Sequence, residues 1–168
     1  MKNCFTYYPY RWRYYVKKPW EFFEDIWLNL KAAWQRATRG WADRDTWNLD
    51  YHLLDILPEM IDYLREHTHG YPGGHQGFPT YESWQDFLQN EIVIPLQNAR
   101  EEQTTQINEY EEEYFNLSSP SGRFLNTRSD DEVREKWLAR EQEISEWRQQ
   151  ELERGLQNLA TVFFNLWD

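Results

Sequence analysis

Apolar residues recur at steps of three and four along most of this chain, the spacing of helices that turn one face inward. The first run is Trp20, Phe23, Trp27, Leu30 and Trp34. Pro19 opens it, at a position where the missing N–H costs nothing, and Gly40 stops it. Asp43 reads as the N-cap of a second helix, with Asp45 in its positive first turn. On that helix Trp47, Tyr51, Leu54, Ile61 and Leu64 form an inner face, and Leu49, Leu53, Ile56, Met60 and Tyr63 a second apolar flank. So wide an arc predicts a central helix, bent where Pro58 removes a backbone bond.

Residues 67–79, HTHGYPGGHQGFP, hold four glycines and two prolines and predict a loop. Thr80 caps a third helix whose buried side is Trp84, Phe87, Leu88, Ile92 and Leu96, with a kink or break at Pro95. Residues 100–113 contain one aliphatic side chain, so they are either a solvent-facing helix or a poorly packed connection. An internal loop at 118–129 precedes a long last helix marked by Val133, Trp137, Ile144, Trp147, Leu152, Leu156, Leu159, Phe163 and Leu166. Its near-heptad spacing suits pairing with the third helix or with another copy of the chain. The expected fold is all-α: an irregular bundle of about four to five helices in a single domain, residues 19–168, behind an aromatic-rich N-terminal arm, residues 1–18.

At 168 residues the chain can bury a core without disulfides, and its single cysteine, Cys4, excludes an internal one. No apolar run is long enough to span a membrane and no signal-peptide pattern is present, so a cytoplasmic protein is expected. Net charge is −11. It is uneven: five basic groups and no acid at 1–18 (+5), six and thirteen at 19–100 (−7), seven and sixteen at 101–168 (−9). That balance disfavours nucleic acid for the body and leaves the arm, FTYYPYRWRYYVKKPW, as the one basic patch. Aromatic residues make up 18% of the chain; the simplest expectation is that Trp and Tyr fill the core in place of Leu.

The richest local chemistry is at 41–50, where Trp41, Asp43, Asp45, Trp47, Asn48 and Asp50 crowd one helix start with Arg36, Arg39 and Arg44 around it. These groups either cap the helix and staple it to its neighbour or line a pocket in which indoles sandwich a flat ligand. With His69, Tyr71 and Trp84 they form the candidate ligand- or partner-binding set. His67, His69 and His75 read as a surface turn rather than a metal site, and His52 as a hydrogen-bonded flank residue. Glu21 with Glu24, and Glu59 with Asp62, resemble the magnesium ligands of all-helical nucleotide pyrophosphatases of the MazG type, although 34 residues separate the pairs here. No phosphate-binding glycine loop, GxSxG, Cys/His nucleophile pair or HExxH occurs, and no cofactor is expected.

The run KPWEFFEDIWLNLKAAWQRATRGWADRDTWNLD, followed by HGYP and TYESW, resembles a family of small uncharacterised bacteriophage proteins over roughly residues 18–97. The matching residues are Trp41, Asp45, Trp47, Asn48, Asp50, Gly70, Tyr71, Pro72 and Trp84. The resemblance implies a phage origin and a helical fold and carries no activity. The expectation is a non-enzymatic, phage-encoded protein that binds a host protein, most simply a defence component. A sponge for a nucleotide immune signal, a magnesium-dependent hydrolase and an assembly protein are the alternatives.

Overall fold

The computed structural model describes residues 19–73, 77–117 and 128–167, and among them the protein is all-α. The helices are α1 (Pro19–Arg39), α2 (Leu49–His67), α3 (Tyr81–Phe87), α4 (Ile94–Asn98), α5 (Glu111–Leu117) and α6 (Arg128–Val162). A π-helical segment, Leu88–Val93, joins α3 to α4 in one continuous rod, so five helical rods result, as the sequence predicts. The aromatic N-terminal arm, residues 118–127 of the expected loop, and His75 lie outside the described residues. Contacts group the chain into two compact units, Met1–His52 and Leu53–Asp168, where the sequence suggests one domain from residue 19. The division falls within α2.

The core of the second unit is mostly aliphatic. Leu88, Ile92, Val93 and Leu96 are fully buried, with Ile61 from α2, Leu159 and Val162 from α6, and one aromatic, Trp84. Aromatics therefore do not replace Leu in the core: of the nine tryptophans among described residues, Trp84 alone is buried, while Trp20, Trp27, Trp34, Trp41, Trp47 and Trp167 are exposed. On α2 the inward stripe is Leu54, Leu57, Pro58 and Ile61; Leu49, Leu53, Met60 and Tyr63 are exposed, so the second apolar flank is not a buried one. Thr80 caps α3 as expected, its hydroxyl accepting from the Ser83 N–H at 3.2 Å while Ser83 Oγ accepts from the Thr80 N–H at 3.2 Å.

Pro95 sets the shape of the α3–α4 rod. It has no N–H to offer, so the carbonyls it could have reached, Glu91 in an α-turn and Asn90 in a wider π-turn, lose a donor. Both are satisfied from α6. Asn158 Nδ2 donates to the Glu91 carbonyl at 3.1 Å, and Arg154 Nη2 donates to that of Asn90 at 3.2 Å. The sequence marks a kink or break at Pro95; the backbone instead widens ahead of it and continues.

The face of α6 that meets this rod sets polar groups beside its apolar Leu152, Leu159 and Val162. Besides Arg154 and Asn158, Glu151 accepts from Asn98 Nδ2 in a buried bond of 2.9 Å, and Arg148 Nε donates to the Ala99 carbonyl at 3.0 Å. Gly155 sits at the closest approach. A Cβ there would lie 2.9 Å from Leu96 Cγ and Cδ2 and 3.4 Å from the Ile92 carbonyl. Leu156 and Phe163, expected on the inner face, are exposed.

Residues 101–110 are a non-helical connection and 111–113 begin α5; the connection is well anchored, where the sequence offers a solvent-facing helix or a poorly packed connection. Asn108 is buried and donates to the Trp137 carbonyl at 3.1 Å and to Glu141 at 2.8 Å, and Arg140 pairs with Glu109 at 3.1 Å. Where the rod ends, buried Arg100 pairs with Asp55 of α2 at 2.5 Å, tying the helices of this unit together.

Replacing Gly155 with Ala gains about 1 kcal/mol of helix propensity but overpacks a fully buried Leu96, a cost of about 1–3 kcal/mol. The clash wins. Gly155→Ala is expected to lower stability by up to about 2 kcal/mol in urea titration, and Gly155→Leu by more; an unchanged midpoint for both would show that α6 does not approach so closely.

Candidate functional site

The densest polar network in the first unit lies where α1 gives way to the 41–50 segment. Gly40, with φ of 84°, takes the left-handed conformation that ends α1, and its N–H donates to the Arg36 carbonyl at 3.0 Å. The chain then turns back through extended Ala42 into a short 3-10 helix, Asp43–Thr46, before α2 begins at Leu49. Asp43 is thus not the cap of α2. Ala42 holds the N-cap position of the 3-10 turn with no side-chain acceptor of its own, and the Asp45 carboxylate reaches back to accept from the Ala42 N–H at 2.8 Å, the return bond of a capping box.

Asp45 is the centre of this clamp. Its carboxylate is buried and takes a two-pronged bond from Arg36, with Nε on Oδ2 at 3.0 Å and Nη2 on Oδ1. His52 Nε2 stands 3.8 Å away. Burial works to raise the Asp45 pKa, but the bonds from Arg36 and the Ala42 N–H, with the charge of Arg36, outweigh it and hold the carboxyl below the ordinary carboxylate range. Outside this pair, Gln35 grips Asp43 twice, donating to its carboxylate at 2.7 Å and accepting from its N–H at 3.0 Å. Arg39 pairs with Asp43, donates to the Trp41 carbonyl at 3.0 Å and lies 3.8 Å over the Trp41 ring. Arg44 reaches back to Asn29 at 2.7 Å.

These contacts settle which face of α1 is buried. Gln35, Arg36 and Arg39 meet the clamp, and Ala32, on the same side of α1, is buried, as is Ala42. At about 100° per residue, Ala32 and Arg36 lie about 160° around the helix from Leu30 and Trp34. The stripe expected to face inward therefore faces out: Trp20, Phe23, Trp27, Leu30 and Trp34 are all more than half exposed. The polar face wins because its groups have specific partners within fifteen residues.

Among the expected site residues, Arg36, Arg39, Trp41, Arg44 and Asp45 converge in the clamp. Trp47, Asn48 and Asp50 follow it on the surface, and Trp47 is 89% exposed. In the second unit, His69 and Tyr71 are exposed, whereas Trp84 is 2% exposed and packs against Phe78 at 4.9 Å and Phe87 at 6.2 Å; it is a core residue, closed to any ligand. His67 stacks on Tyr63 at 3.9 Å and bonds the Tyr63 carbonyl. Among the described residues no group of three or more His, Cys, Asp or Glu is placed to hold a metal ion. Asp62, in the second acidic pair, is bound by Arg65 at 2.8 Å, and Glu59 is exposed. Sequence reasoning missed Asn29, Gln35 and Ala42. Their signal was present: Asn29, Ala32, Gln35, Arg36 and Arg39 follow helical spacing opposite the aromatic stripe. No helix among the described residues is long and apolar enough to cross a membrane. Compared with protein-family models, curated proteins and solved structures, the chain matches none.

Removing the Asp45 carboxylate takes its two-pronged bond from Arg36 and the acceptor from the Ala42 N–H. Asp45→Ala is expected to cost the first unit about 1–3 kcal/mol, the range for a buried charged hydrogen bond whose partner keeps some water. Exchange protection of the Ala42 amide by NMR is the direct readout, and unchanged protection would refute the clamp. Because the folded pKa of Asp45 is depressed, its contribution is full above the unfolded carboxylate value and is lost as pH falls through the folded one. Wild-type protection should therefore fall on acidification, a step absent from Asp45→Asn.

Proposed function

We propose that this is a phage-encoded, non-enzymatic binding protein that captures a host protein, most simply a defence component, through the Trp41–Trp47 surface. One observation carries the reading: Trp47 stands almost fully exposed one residue beyond a turn that the Asp45 network immobilises. A large indole on a rigid mount loses little freedom on docking, and Trp and Arg are the residues that most often dominate protein interfaces. Arg39 over Trp41 adds a second anchor of the same kind.

The arrangement supports protein contact over a nucleotide sponge. The arginines that an anionic ligand would need are already engaged: Arg36 with Asp45, Arg39 with Asp43 and the Trp41 ring, and Arg44 with Asn29. A phosphate would have to displace carboxylates from them, in a chain of net charge −11.

Affinity capture from host cells with the wild-type protein, followed by calorimetry on the partner identified, tests this. Trp47→Ala is expected to weaken binding about 30-fold or more, the loss of roughly 2 kcal/mol that marks an interface anchor, with thermal stability unchanged. Equal affinity for both proteins would remove Trp47 from the interface. A nucleotide-sized mass retained in native mass spectrometry and lost in Trp47→Ala would point to the sponge instead.

A further inference from the structure

The outward stripe of α1 has a regular pattern of its own. Trp20, Phe23, Trp27, Leu30, Trp34 and Ala37 fall at alternating steps of three and four, the 3.5-residue period of a helix that packs along a second helix. Exposure of the large members is 59, 68, 68, 54 and 70% in that order, although they would ordinarily be the first to find cover. With each large side chain offering about 150–250 Å² when buried, the face presents on the order of 700 Å². That is close to one partner's share of a standard specific interface and above the largest apolar patch a typical monomer leaves open.

The charges beside the stripe select the occupant. Of the charges on α1, Glu24 in its first half and Lys31 in its second lie beside the stripe, while Arg36 and Arg39 are turned to the clamp. An antiparallel copy of the same helix brings opposite signs together, whereas a parallel copy stacks like on like. On one flank of the stripe stand Glu24 and Lys31; on the other stand Ile26 and Ala33, which carry no charge. Placing Trp27 against Leu30 of a second copy sets Phe23 against the other Trp34 and Trp20 over the small Ala37. Glu24 then comes within reach of the other copy's Lys31, twice by symmetry. Lys31 is available for this, since its contact to Asp43 is a loose 3.7 Å pair with both side chains more than half exposed.

We infer that the α1 stripe is a homodimer surface, occupied by the antiparallel α1 of a second copy of this chain. The near-heptad spacing of the last helix suits pairing with the third helix or with another copy; the heptad used here is the exposed one on the first helix. This inference is independent of the host-binding reading, because the dimer uses Trp27 and its neighbours and leaves Trp47 outside.

The test is sedimentation equilibrium of the full chain, with circular dichroism and thermal midpoint recorded for every variant. Wild type is expected to be a dimer at low micromolar concentration, and Trp27→Glu a monomer with wild-type helix content. Glu24→Lys, which leaves the Asp45 clamp untouched, should weaken dimerisation about tenfold, as two attractive pairs become repulsive. Adding Lys31→Glu to it should restore association. A monomeric wild type overturns the proposal and gives the stripe to another occupant, such as residues 1–18 or the second unit, which cross-linking would identify. A dimer that persists in Trp27→Glu, or a double swap that fails to restore association, overturns it equally. Loss of host binding in Trp47→Ala with the dimer intact would separate the two surfaces.

Discussion

The buried carboxylate of Asp45 decides the layout of the first unit. A charge at that depth is tolerated only if its oxygens are fully engaged, and here a guanidinium from α1 and the Ala42 N–H of its own turn engage them. Meeting that demand brings the Arg36 face of α1 against the 41–46 turn. Since an α-helix has only one opposite side, the Trp20–Trp34 stripe is sent outward by the same act. The exposed stripe is therefore a consequence of polar satisfaction, not of a failure to find apolar neighbours.

The second unit obeys the same rule by different means. Pro95 withholds one N–H, and the carbonyls of Asn90 and Glu91 become the feature around which α6 is placed. Arg154 and Asn158 must both reach backbone, which requires close contact between helix and rod. Gly155 between them permits it by having no Cβ to collide with Leu96. Apolar burial by Leu88, Ile92, Leu96, Leu159 and Val162 supplies the driving force, yet it would accept several registers of α6. The polar bonds select one.

This division explains what could be read from the sequence. The Gly40 stop, the Thr80 cap and most helix positions depend on local rules and are found where the residues put them, the start of α2 excepted, and the described residues 68–73 and 77–79 are non-helical as expected. What faces inward depends on long-range partners, and there hydrophobic spacing alone misleads. It places the Trp20–Trp34 stripe and the Leu156 and Phe163 positions inside, because it has no means of weighing Arg36, Glu151 or Asn158 as interior groups. For the site, the 41–47 cluster stands out in the sequence and does form a unit. Its role as staple or pocket turns on whether Asp45 points at Arg36 or at a ligand, which only coordinates can decide. Trp84 was drawn into that set by its place in a motif; its burial beside Phe78 and Phe87 takes it out.

The placement of the tryptophans bears on function more than their number. An indole in a core is explained by packing, as Trp84 is. An indole on the surface costs solubility and calls for another reason, and among the described residues six are there: five between residues 20 and 47 and one at Trp167. Five within one 28-residue span, on two separately oriented parts of the same unit, differ from scattered surface hydrophobics. The Asp45 clamp fixes both parts from the same side chains, α1 through Arg36 and the turn through Ala42, so the stripe and Trp47 are held by one network. A unit whose polar groups hold it in shape and whose aromatic groups lie exposed suits the proposed role in contact. That pattern is the physical basis for reading the chain as a binding protein with two faces rather than as a scaffold for chemistry.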